Sequence, residues 1–66
     1  MKTIYHVFTN NNDEWTGDYK EALAIYKEWV MDFDCARLYE EIWENTEKDD
    51  EPIEENYLKG HGLWPT

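Results

Sequence analysis

The chain has 66 residues, 16 of them acidic and 6 basic, for a formal charge of −10, a balance that repels nucleic acid and anionic lipid and favours basic partners. A single domain over residues 1–66 is what this length accommodates, and because a domain this small buries only about 60% of its unfolded surface, bulk must come from its Trp, Tyr and Phe side chains. The single Cys35 excludes an intrachain disulfide and a multi-cysteine zinc site, and it fits a reducing, cytoplasmic setting in which it is a small buried apolar residue.

Met1 to Thr9 carries one lysine followed by alternating residues, not the continuous apolar stretch of a signal peptide, and no span reaches membrane length. Lys2 to Thr9, KTIYHVFT, predicts a β-strand in which Ile4, His6 and Phe8 alternate with Tyr5 and Val7, so both faces carry bulky groups. Asn10-Asn11-Asn12-Asp13 predicts a reversal, because Asn and Asp tolerate left-handed backbone and bond to the nearby main chain. Asp18 followed by Glu21 is a capping-box variant with Asp in place of Ser or Thr. Tyr19, Ala22, Leu23, Tyr26, Val30 and Phe33 then share one helical face, with Lys20, Ala24, Lys27 and Met31 opposite. Ile25 and Trp29 lie on the flank, giving either a wide buried stripe or an apolar margin for a partner.

Ala36 to Glu44 has strand composition with imperfect alternation: either the Glu40-Glu41 pair marks a bulge, or one carboxylate lies among apolar side chains and points to an edge. Asn45 to Pro52 is a polar turn, and Ile53 to Lys59 returns as a shorter strand. Gly60-His61-Gly62 loosens the chain, so residues 60–66 read as a flexible tail carrying Trp64. The expected fold is α+β, β-α-β-β, a three-stranded sheet with one amphipathic helix packed on one face, its crossover right-handed if the strands it joins are parallel. The other face then has no cover, and Tyr5, Val7, Tyr39 and Trp43, or their opposite numbers, are partly exposed, as at an interface.

Nine of the sixteen residues from Glu40 to Glu55 are acidic, answered only by Lys48. Such a run either solvates the hairpin or displays carboxylates to a partner. Along a strand, same-face carboxylates repeat at about 6.5–7 Å, near the phosphate spacing of a nucleic-acid strand. Glu40, Glu41, Glu44, Glu47, Asp49, Asp50, Glu51, Glu54 and Glu55 are therefore candidate partner-binding residues, with Trp29 and Trp43 as aromatic anchors. The acids lack the loop pattern of an EF-hand. His6 and His61 have no ligand at metal spacing, the chain has no serine, and no glycine-rich phosphate loop occurs. No catalytic residue, metal or cofactor is expected.

With its KTIYHVFT strand, amphipathic helix ending at Phe33 and following ARLYEE strand, this short acidic chain resembles small proteins of bacteriophages and mobile elements, anti-CRISPR and anti-restriction inhibitors among them, in size, charge and element order. The resemblance implies stoichiometric, non-enzymatic binding to a host defence or replication protein. The expectation is an acidic inhibitor or nucleic-acid mimic that engages a basic protein surface. The alternative is a homodimer that buries the aromatic sheet face against its own copy.

Overall fold

A computed structural model of the chain describes residues 1–44 and 51–62. It is α+β, with four antiparallel-paired strands in one sheet and one helix. The elements run β1 (Lys2–Phe8), β2 (Asp13–Thr16), α1 (Tyr19–Asp32), β3 (Ala36–Trp43) and β4 (Glu54–His61), and the sheet order is β2-β1-β3-β4.

The expected three-stranded β-α-β-β order is thus corrected by one extra strand, β2. The Asn-rich turn does reverse the chain, and Thr9 organises it. Its amide donates to the Asn12 carbonyl at 2.8 Å, and its hydroxyl oxygen accepts from the Asn11 and Asn12 amides at 3.2 and 3.0 Å. Asp13 is already in the returning strand, opposite Phe8. Both β2 and β3 run antiparallel to β1, so they are parallel to each other, and α1 connects them across β1.

Helix α1 starts where the sequence predicts. Asp18 takes extended backbone angles and accepts the Lys20 amide at 2.9 Å, satisfying one of the first-turn donors that have no intrahelical partner. The return arm of the box is replaced: the Asp18 amide donates to Thr16 Oγ1 at 3.2 Å. At the far end extended Phe33 donates to the Trp29 carbonyl at 2.8 Å. Val7, Ala22 and Leu38 form the fully buried centre between helix and sheet, with Tyr5, Leu23, Ile25, Tyr26 and Trp29 packed around it. Each buried Val or Leu contributes about 1.5–3 kcal/mol. Ile25 and Trp29 therefore widen the buried stripe.

Pairing of β1 with β3 is continuous from Lys2↔Trp43 to Phe8↔Arg37, so no bulge occurs at Glu40-Glu41. The irregularity lies in the β3–β4 ladder between Leu38 and Tyr39, where Lys59 and Tyr57 are successive partners and Leu58 is passed over. β4 is as long as β3, at eight residues each, because Gly60 and His61 belong to it rather than to a loose tail. Tyr57 explains the strand glycine: its hydroxyl end lies over Gly60, where a Cβ would stand, an aromatic covering of a strand glycine. Gly62 has φ +81°, and a Cβ there would collide with the Asp34 carbonyl, so the chain after β4 packs closely on the chain entering β3. Cys35 and Ala36 are buried beside this contact, as expected for Cys35.

Candidate functional site

Register divides the sheet's side chains between two faces. Val7↔Leu38, Tyr5↔Glu40 and Thr3↔Ile42 point toward the helix, whereas Lys2↔Trp43, Ile4↔Glu41, His6↔Tyr39 and Phe8↔Arg37 point the other way. The expected grouping of Tyr5, Val7, Tyr39 and Trp43 on one face is corrected: Tyr5 and Val7 turn to the helix, and the open face carries Ile4, His6 and Phe8 with Tyr39 and Trp43, because Tyr5 pairs with Glu40 and Val7 with Leu38. Among the described residues no element covers that face.

Across it runs one in-register row, Trp15↔His6↔Tyr39↔Tyr57, with one ring from each of the four strands. Trp15 stacks flat on His6 (4.2 Å, 7°), His6 stacks on Phe8 (4.6 Å, 29°), Phe8 lies along Tyr39 (5.6 Å, 28°), and Tyr39 meets Tyr57 edge-on (5.6 Å, 82°). The two ends of this ribbon are open to solvent, Trp15 at 51% and Tyr57 at 58% exposure. Each end carries a carboxylate two residues earlier on the same face, Asp13 before Trp15 and Glu55 before Tyr57.

Glu41 and His6 form the polar centre of the face. Glu41 is only 6% exposed although it sits on the side that no described element covers. Its Oε1 accepts from Trp43 Nε1 at 3.2 Å, and its Oε2 is 3.4 Å from His6 Nδ1. The other imidazole nitrogen, Nε2, is buried with no hydrogen-bond partner and stands 3.7 Å from Asp13 Oδ2. One imidazole thus stands between the carboxylates of β2 and β3 while its ring stacks on Trp15 and Phe8. The histidine reading from sequence, a strand residue without a ligand at metal spacing, finds its partners only through the fold.

The other sequence-predicted residues scatter. Glu40 faces the helix side, where Asn56 Nδ2 donates to its Oε1 at 3.2 Å and is also 3.3 Å from Glu54 Oε2. Glu44 and Glu51 are exposed beyond the strands, and Glu54 and Glu55 are exposed on β4. Glu47, Asp49 and Asp50 lie outside the described residues. Trp29 packs on the buried centre and meets Phe33 edge-on at 6.1 Å, on the opposite side of the sheet from Trp43. Two physical facts therefore alter the acidic array read from sequence: Glu40 and Glu41 point to opposite faces, and Glu41 is enclosed. The sequence reading does not reach Trp15, Asp13 and Tyr57 for this surface, whereas His6 and Phe8 are the opposite numbers of Tyr5 and Val7 in the alternation of KTIYHVFT.

Burial raises the Tyr26 phenol above the ordinary tyrosine value, with Tyr57 adding to the shift. Among the described residues there is no cluster of His, Cys, Asp and Glu suited to hold a metal ion, and no helix is long and apolar enough to cross a membrane. Comparison with known proteins gives no significant match to a family model, a curated protein or a solved structure.

Proposed function

We propose that this chain is a non-enzymatic binding protein whose aromatic sheet face, which no described element covers, docks on a basic surface of another protein. The observation that carries the reading is the in-register row Trp15-His6-Tyr39-Tyr57, flanked at both ends by exposed carboxylates. Apolar patches of this kind on small proteins mark interfaces, and Trp and Tyr are the usual energetic anchors within them. The charge of −10 selects the partner's sign. It also disfavours a second copy as the occupant, since two such faces would bring Asp13 and Glu55 of each copy together in a closing interface.

His6 does meet carboxylates, the condition a histidine-dependent enzyme would need. Its nitrogens, however, turn to Glu41 and Asp13 inside the ring stack, and Nε2 is buried. That supports a structural link between strands rather than a general base, which must reach a substrate proton. In keeping with the resemblance to mobile-element inhibitors, the binding is read as stoichiometric inhibition of a cytoplasmic nucleic-acid-processing or defence protein. The exposed acids Glu44, Glu51, Glu54 and Glu55, with Glu47, Asp49 and Asp50, then supply long-range attraction, and the aromatic face supplies contact.

The test is NMR titration with polylysine and polyarginine at about 50 mM and about 300 mM salt. Shifts should concentrate on Trp15, Tyr39 and Tyr57 and weaken steeply with salt. Shifts confined to Glu44, Glu51 and Glu54 would sink the reading. Light scattering on the free chain should return the 8.0 kDa mass at either salt; a doubled mass would replace the basic partner with a second copy.

A further inference from the structure

The two ends of the aromatic ribbon are chemically alike. Asp13-Glu14-Trp15 on β2 and Glu55-Asn56-Tyr57 on β4 each present, on the same open face, an exposed ring and a carboxylate two strand positions before it. Both lie on the outermost strands of the sheet order β2-β1-β3-β4. One face of the Trp15 indole is occupied by His6 in parallel stacking at 4.2 Å, which stiffens the ring, while the residue remains 51% exposed. Tyr57 is held edge-on by Tyr39 at 5.6 Å and is 58% exposed. His6 Nε2 stands 3.7 Å from Asp13 Oδ2, on the carboxylate beside Trp15, whose side chain is 55% exposed.

A ring with a carboxylate two strand positions before it on the same face offers both recognition modes of a guanidinium, which stacks through its plane and pairs through its fork of donors. An ammonium lacks the plane. Because this surface repeats the motif at both edges, we infer that the occupant of the open face presents two arginine side chains, one stacking on Trp15 and pairing with Asp13, the other stacking on Tyr57 and pairing with Glu55. The row spans the sheet from β2 to β4, about 14 Å at roughly 4.8 Å per strand gap. Two arginines about four residues apart on an extended segment are separated by a similar distance, roughly 13–14 Å. A partner strand crossing the sheet perpendicular to its strands would therefore engage both ends at once.

This inference rests on the docking face proposed above, and the experiment separates the two. A Gly/Ser-based peptide carrying two arginines about four residues apart is titrated by NMR and tryptophan fluorescence against its lysine counterpart at about 50 mM salt. The arginine peptide is expected to bind about tenfold more tightly, with the largest shifts at the Trp15 and Tyr57 rings. Trp15→Leu and Tyr57→Leu, each checked for fold by circular dichroism, keep apolar bulk without a π face and should each remove most of that preference. Should one variant fail to fold, the other carries the same comparison. Equal binding of both peptides at the face would overturn the guanidinium assignment while leaving the docking face intact. Absence of shifts at the face with either peptide would overturn both.

Discussion

Glu41 sits at an uncommon position, an enclosed carboxylate on a sheet face that no described element covers. Its enclosure comes from Trp43, which donates to it at 3.2 Å, and from His6 at 3.4 Å. Removing a buried acceptor leaves its donor, here the Trp43 indole N–H, without a partner, at about 1–3 kcal/mol. Glu41→Ala should therefore lower unfolding stability in urea by about that amount, while Glu41→Gln, which retains an amide oxygen for one donor, should cost less. Equal stability of Glu41→Ala and the unmodified chain would show that Trp43 and His6 find solvent instead. Parity in the sequence already separates Glu40 from Glu41, since neighbouring strand residues point to opposite faces. What the sequence does not contain is which of the two faces the helix. That follows from the register Tyr5↔Glu40, a pairing between segments far apart in the chain.

At the level of elements, α1, β1 and β3 were legible because each carries its own period: helical spacing from Tyr19 to Phe33, alternation in KTIYHVF, and strand composition in ARLYEEIW. β2 was not. DEWT is four residues long and too short to display a period, with Trp15 and Thr16 its only strand formers and Gly17 beyond it. Its strand character comes from pairing with β1, a tertiary effect that overrides local preference. The same reason hid one end of the candidate site, since Trp15 joins the aromatic row only once β2 exists. β4 was underestimated because Gly60 reads as a break, and the covering Tyr57 ring is invisible until the strand is folded. Within the β3–β4 ladder Glu41 lies directly opposite Glu55, and like charges so placed are unfavourable by a few tenths of a kcal/mol. Glu55→Gln should accordingly raise the urea midpoint slightly while weakening capture of the arginine peptide. A loss of stability in that variant would mean that the Glu55 carboxylate has a favourable partner of its own.

For the whole molecule, the charge of −10 acts on folding and on binding with opposite sign. Carboxylates held on a folded chain with a Cα radius of gyration of 12.1 Å repel one another more than they do in an expanded chain. The Debye length falls from about 30 Å at 0.01 M salt to about 10 Å at 0.1 M and shorter beyond, so added salt drops the screening distance below the size of the molecule. Simple monovalent salt should therefore raise the thermal midpoint between about 10 mM and about 500 mM. Over the same range the affinity for a basic partner should fall, because the attraction being screened is the counterpart of that self-repulsion. Following both quantities on one sample distinguishes two roles for the acids. If binding weakens as stability climbs, the carboxylates act on the partner; if binding is indifferent to salt while stability climbs, they only solvate the chain, and recognition rests on the rings of the open face.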